Sequence, residues 1–432
     1  MIRRFVAAVI FLVFFARGTA LWAADFDSDG YGSIADYLRD IYGADNNAGL
    51  SAFPVLNIPM GGRAEGMAGS FSAVADDASF IEYNPAGSSM LKKSELAFFH
   101  NNWIADTKLE GAVFTFRLGD LGLAAGGKWL YTPFTEYNIF GDRVSKGYYS
   151  EAAAMLNLSY NFFSGYYFSG ISAGLNLKGA FRFVPDFTDS DDTENSQGQL
   201  VSGSGASQSA AMAMADIGLL TRFDLLKFYN SRERNFSLAL VCRNLGPLSM
   251  DEPLPTAAGA GVSWKPLRPI LFSFDYIVPL NLQDLSLSEK PYWAGGISAA
   301  VTEFLSMRAG LQSKTGNVRI TVGSAITMEK LSLELNYTLD LLTELRPLSR
   351  VSLGLRFDLG DRGRQQLADQ VDDLYLAGLD AYALEQFDEA RTLWEEALVL
   401  DPRFDPARES LNILHRTVEL RERIDEMQRL NF

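Results

Sequence analysis

The chain has 432 residues, 47% of them hydrophobic and 12% aromatic, with a formal net charge of -15. That length holds two or three domains, the apolar content excludes a disordered chain, and the acidity argues against nucleic acid and anionic membrane surfaces as partners. The single Cys242 excludes an internal disulfide, and the separated His100 and His415 give no histidine metal site and no histidine-based triad, so neither enzyme activity nor a cofactor is expected.

Residues 1–24 read as an export leader: Arg3 and Arg4 precede an apolar run from about Phe5 to Phe15, and small residues near Ala20 to Ala24 offer cleavage points. The run is short for a helical span, and a buried N-terminal helix is the alternative. No cysteine follows the leader, so no lipoprotein anchor is expected. No later run of about 18 apolar residues occurs, and any further membrane contact must come from strands, whose alternation hides them from a hydropathy window.

Residues 25–56 form an acidic linker. Within it, "DFDSDGYGSIAD" sets Asp25, Asp27, Asp29 and Asp36 at calcium-loop spacing. Gly32 stands where an apolar residue normally sits and no clear helix precedes, so a solvated linker competes with a calcium loop, and no metal ligand is assigned.

Residues 57–94 carry "GGRAEGMAG", with Gly61, Gly62, Arg63, Gly66 and Gly69, then the adjacent Asp76 and Asp77, then Asn84, Pro85, Ala86 and Gly87. No strand precedes the glycines and no Lys-Ser/Thr closes them, which rejects a phosphate loop. Asn-Pro marks a turn.

From 95 to 360 about fourteen strand-like segments follow with no helix between them. In "LSLELNYTLD" Leu331, Leu333, Leu335, Tyr337 and Leu339 share one face, while Ser332, Glu334, Asn336, Thr338 and Asp340 share the other. "ISAGLNLKGAFRF" puts Lys178 and Arg182 on its polar face, and "RVSLGLRFDL" does the same with Arg356 and Asp358. The connections alternate between tight turns and long loops, the long set including Thr132 to Ser150 and Val184 to Ala206; Lys314 to Asn317 breaks the rule. An even strand count with short turns on one side and long loops on the other predicts an all-β transmembrane barrel, whereas alternation alone also fits a secreted β-sandwich.

After a polar linker at 361–370, residues 371–432 change period. Gly378, Phe387, Ala390, Trp394, Ala397 and Pro402 fall at tetratricopeptide spacing, where small residues let two helices pack closely, and a further helix follows. An ordinary helical hairpin is the alternative.

Residues 58 to 90, through "GGRAEGMAG", "AVADDAS" and "NPAG", resemble the start of the long-chain fatty-acid outer-membrane transporter family (FadL-like), with its spirochaete-type members and the related Por-type barrels. The resemblance implies that residues 57–94 fold as a plug inside a fourteen-strand barrel and that the Asn-Pro-Ala turn hands the chain to the first wall strand. On that reading Arg63, Asp76 and Asp77 meet opposite charges among Lys178, Arg182, Glu334, Arg356 and Asp358, because buried charges need partners.

The implied function is a passive outer-membrane channel for hydrophobic molecules, long-chain fatty acids foremost, set in outer-membrane lipid with plug and tail on the periplasmic side. The competing expectation is a docking and assembly barrel whose tail binds a periplasmic protein.

Overall fold

The computed structural model describes residues 45, 47–104, 106–137, 140–141, 143–184, 193–194, 200–201, 209–249, 252–315, 317–341 and 348–430. The expected leader and the calcium-type spacing from Asp25 to Asp36 lie outside the described residues.

Fourteen antiparallel strands close into one barrel. They are β1 (Glu95–Asn102), β2 (Lys108–Leu118), β3 (Leu121–Tyr137), β4 (Arg143–Phe162), β5 (Ile171–Phe183), β6 (Ala210–Phe223) and β7 (Phe236–Leu245), followed by β8 (Ala257–Leu267), β9 (Ile270–Pro279), β10 (Tyr292–Ala300), β11 (Leu305–Lys314), β12 (Asn317–Thr327), β13 (Leu331–Asp340) and β14 (Leu348–Asp358). Each strand pairs with its neighbour in the chain, and β1 closes on β14 with Glu95 opposite Asp358. Thr193–Glu194 and Leu200–Val201 form a separate small ribbon between β5 and β6.

The side-chain pattern is inverted relative to a water-soluble sheet. In β13 the polar set Ser332, Glu334, Asn336, Thr338 and Asp340 is buried, while Leu333, Leu335 and Tyr337 are 44–50% exposed. The same outward exposure recurs at Phe98, Phe114, Leu156, Leu177, Leu240 and Phe274 around the wall. An apolar exterior on a closed sheet suits lipid, and closure leaves no unpaired edge in it.

One expected loop is largely strand. β3 and β4 remain paired out to Tyr137 opposite Arg143, so most of Thr132 to Ser150 continues the hairpin. The Phe134 ring lies over its cross-strand partner Gly147, and Tyr131 meets Tyr148 edge-on at 6.3 Å. Such aromatic pairs hold the ladder, and Pro133 lies past the last β2 partner, Tyr131, where its missing donor breaks no bond on that side.

The segment packed inside the wall starts earlier than residue 57. Ala52, Phe53 and Val55 are buried, because the linker ends in the apolar run Phe53–Leu56. Asn47 Nδ2 donates to the carbonyls of Ser286 and Ser288 and the Gly49 amide to Glu289, at the long-loop mouth. The chain then makes a short 3-10 turn (Pro54–Asn57), α1 (Gly62–Gly66), α2 (Phe80–Tyr83) and a 3-10 helix (Pro85–Met90) before Ser94 joins Gly360 and Leu359 at the short-turn mouth. The plug therefore runs the length of the lumen.

Beyond β14, α3 (Arg364–Ala383), α4 (Phe387–Leu400) and α5 (Asp405–Leu430) follow. The expected linker at 361–370 is mostly helix, since Arg, Gln, Leu and Ala are strong helix formers and Gly363 supplies the left-handed residue (φ 77) just before the start. Val371, Ala381, Ala390, Trp394, Ala397, Phe404, Ala407 and Leu414 make the core of this bundle. It lies against the short-turn mouth: Arg232 pairs with Asp372, and Arg403 with Asp120 at 2.7 Å.

Candidate functional site

The plug is seated by glycines of the wall. A β-carbon on Gly174 would lie 2.2 Å from the Pro85 carbonyl oxygen, one on Gly122 2.2 Å from the Ser88 carbonyl carbon, and one on Gly310 2.3 Å from the Met67 carbonyl carbon. Only a residue without a side chain lets the plug backbone come this close. Gly218 makes the same room for the Asn84 side chain. Asn84 in turn caps the helix that follows it, its Oδ1 accepting from the Ala86 amide at 3.0 Å. Its Nδ2 donates to the Ser72 carbonyl at 2.8 Å and to the Leu219 carbonyl of β6 at 3.2 Å.

Half-buried and buried ion pairs add directionality. Arg63 Nη1 meets Asp76 at 2.7 Å and Asp77 at 3.9 Å, and Arg356 reaches Asp77 at 2.8 Å and Glu334 at 3.3 Å. Arg308 also holds Glu334, at 3.2 Å. Burial opposes the charge on Arg63, yet Asp76 and Asp77 outweigh it and the guanidinium is held more firmly protonated. Burial likewise works to raise Asp76, but Arg63 and Arg222 reverse this and hold its carboxyl below the ordinary range.

A second group sits nearer the loops, where Arg350 donates to Glu65 at 2.9 Å and pairs with Asp340 at 3.2 Å. A third joins Lys128 to Glu82 at 2.5 Å, and Lys128 also donates to the Ile58 carbonyl at 2.7 Å.

Of the five wall charges expected to face the plug, Glu334 and Arg356 join the plug cluster. Lys178 pairs instead with Asp216 of β6 at 2.6 Å, and Arg182 with Glu151 of β4 at 3.0 Å. Asp358 sits at the short-turn rim with Lys93. Gly61 and Gly62 face Phe99 of β1 with Ser352 and Glu334, Gly66 faces Asn336 and Arg308, Gly69 lies against Tyr83 within the plug, and Gly87 packs under Phe80. Sequence reasoning missed Glu65, Glu82, Lys128, Arg308 and Arg350. The wall members among them carry a legible signal, a charge in the inward phase of an alternating strand.

Nearer the loops the lumen changes character. Phe53, Val55, Leu56 and Met60 of the plug pack against Trp103, Leu109, Leu130, Met155, Met214 and Leu254. The first part of the plug thus fills a largely apolar chamber near the loops, bordered by the Arg182–Glu151 pair, and its ion-paired part lies beneath.

A family model described as "Uncharacterised protein family (UPF0164)" matches residues 42–362, the plug and the whole barrel. The chain belongs to this family. The UPF0164 match stops just before α3, so the helical bundle stands outside it. A UPF0164 protein of Treponema pallidum (strain Nichols) is 30% identical over 405 residues, covering 89% of this chain and 87% of the relative. Among solved structures the fold is similar to the Ralstonia pickettii toluene transporter TbuX, at TM-score 0.42 and 10% identity over 72% of this chain and 99% of that one. The Pseudomonas putida toluene transporter TodX is similar at TM-score 0.42 and 12% identity, over 68% of this chain and 95% of that one. At the family level, the resemblance to fatty-acid transporters resolves into UPF0164 membership.

Proposed function

We propose that this UPF0164 barrel is an outer-membrane channel for hydrophobic small molecules, long-chain fatty acids among them, gated by its plug. The observation that carries the reading is the apolar chamber at the long-loop end. An apolar ligand arriving from the loops gains there the burial that Phe53 and Leu56 now enjoy, at about 25 cal/mol per Å² of surface removed from water. Below it the salt-bridged plug fills the lumen, so passage requires the plug to shift against its glycine seats. The reading calls for no chemistry, only differential affinity of the ligand for the displaced plug state.

The test is uptake of a labelled long-chain fatty acid and of labelled toluene by liposomes holding the purified chain, with protein-free liposomes as baseline. Uptake above baseline that rises when Phe53→Ala opens the chamber supports the channel. Equal uptake with and without protein ends it.

The docking alternative has its own supporting observation. Gly378 packs against Trp394, and Leu384, Val399, Ile413 and Leu420 remain exposed on the tail. On that reading the tail offers a periplasmic partner an apolar surface. A chain ending near Gly360 decides between them: undiminished uptake by that version leaves the tail to docking.

A further inference from the structure

A cavity of about 750 Å³ lies where the short-turn mouth, the underside of the plug and the tail meet. Val74 and Met90 of the plug, Leu271 of the wall, and Val371 and Phe404 of the tail line one part of it. Arginines and lysines share the rest with Asp76, Asp120, Glu233 and Asp401, and most of the cations are held in ion pairs. Lys92 pairs with Glu233, Arg234 with Asp224 at 2.6 Å, and Arg403 with Asp120.

Two are not. Arg117 of β2 donates through Nε to the Gly119 carbonyl at 2.8 Å and through Nη1 to the Leu91 carbonyl at 2.7 Å. Arg222 of β6 donates to the Val74 carbonyl at 2.9 Å and the Met90 carbonyl at 3.4 Å. Those carbonyls fix both guanidiniums without cancelling their charge, and neither arginine makes an ion pair among the described residues. Asp76 on the plug side is paired with Arg63 at 2.7 Å, and its charge also reaches Arg222 without a direct ion pair. Holding like charges together around a half-apolar cavity is unfavourable unless an anion sits among them, and pre-oriented guanidiniums are the strongest protein donors to carboxylate and phosphate.

We infer that this cavity is a binding site for an amphipathic anion, its headgroup held by Arg117 and Arg222 and its apolar body lying against Val74, Met90, Leu271, Val371 and Phe404. The volume suits one such molecule, and the tail is its lid. The inference concerns binding at the closed end of the barrel and holds whether or not the barrel conducts.

The experiment is calorimetric titration of the full chain, in phosphatidylcholine nanodiscs, with octanoate, octanol and inorganic phosphate. Octanoate binding that exceeds both of the others is expected, weakened at least about tenfold in Arg117→Gln/Arg222→Gln. Because these arginines also brace plug carbonyls, Ala368→Trp fills the same cavity from the exposed side of α3 and must weaken octanoate as well. Folding of each variant is read from retained heat-modifiable migration. Discs containing phosphatidylglycerol assign the source: loss of the octanoate signal there supports the site with a lipid headgroup in it, and an unchanged signal supports the site with a soluble amphiphile. Octanol binding as tightly as octanoate, phosphate binding as tightly as octanoate, or full affinity in folded Ala368→Trp each overturns the inference.

Discussion

A methyl group on Gly174 would stand 2.2 Å from the Pro85 carbonyl oxygen, a distance real β-carbons do not reach, so the plug backbone must move. Overpacking of this kind costs about 1–3 kcal/mol. The strain falls on the plug, since β5 stays paired with β4 and β6 along its length. Gly174→Ala should leave a heat-modifiable barrel with raised single-channel conductance in planar bilayers, and Gly295→Ala, whose added carbon meets nothing nearer than 3.9 Å, should not. Equal conductance in both would remove the glycine seats from the gating argument. Asp76 adds a pH dependence of known sign. Its folded-state pKa lies below the ordinary 3.8, so its charge stabilises the packed plug above that value, and the contribution is lost as pH falls through the folded-state pKa. Conductance should therefore rise on acidification below about pH 3.8. Asp76→Asn, which lacks the charge at every pH, should conduct more at neutrality and show a smaller acid step; an unchanged step would assign the acid response to other carboxylates.

Among the elements, strands were legible and pairings were not. The period-2 alternation of "LSLELNYTLD" specifies β13 within its observed bounds, because each face of a wall strand meets one uniform environment, lipid or lumen. The β3–β4 extension was hidden by Pro133 and Gly147, which signal a loop unless Phe134 is known to lie over the glycine. Which charges meet inside depends on strand stagger around the closed barrel, a property of the whole wall. That is why Lys178 turns to Asp216 of the wall, while Arg182 pairs with Glu151 and reaches the plug only through the Phe53 ring, at 5.2 Å. In the tail the small-residue spacing was readable because one contact depends on it: a β-carbon on Gly378 would lie 2.3 Å from Trp394 Nε1. Gly378→Leu should force α3 from α4, at a cost of about 1–3 kcal/mol or more. Thermal melting followed by circular dichroism should then show the helical signal lost earlier while barrel migration is unchanged. A helical transition at the original temperature would mean that Gly378 is not a packing requirement.

At the scale of the molecule, fourteen strands return the chain to the mouth it left, so Ser94 and Leu359 meet and the tail is confined to the short-turn end. The longer connections join strands at the other end, and the acidic, Gly/Ser-rich sequence between β5 and β6 is the longest of them. Short turns facing the periplasm and long loops facing outward is the usual order of outer-membrane barrels, and it is the orientation proposed for this one. Exposed loop tips of small polar residues are where proteases cut first, whereas paired strands resist. Protease added to intact cells should nick the chain between Val184 and Ser209 and leave α3 to α5 whole. Permeabilising the outer membrane should then expose the tail, beginning with the C-terminal part of α5, where Leu420, Ile424 and Met427 stand exposed. Release of tail fragments from intact cells would reverse the orientation: the tail would cap the outer mouth, the apolar chamber would open inward, and the direction of ligand capture would reverse with it.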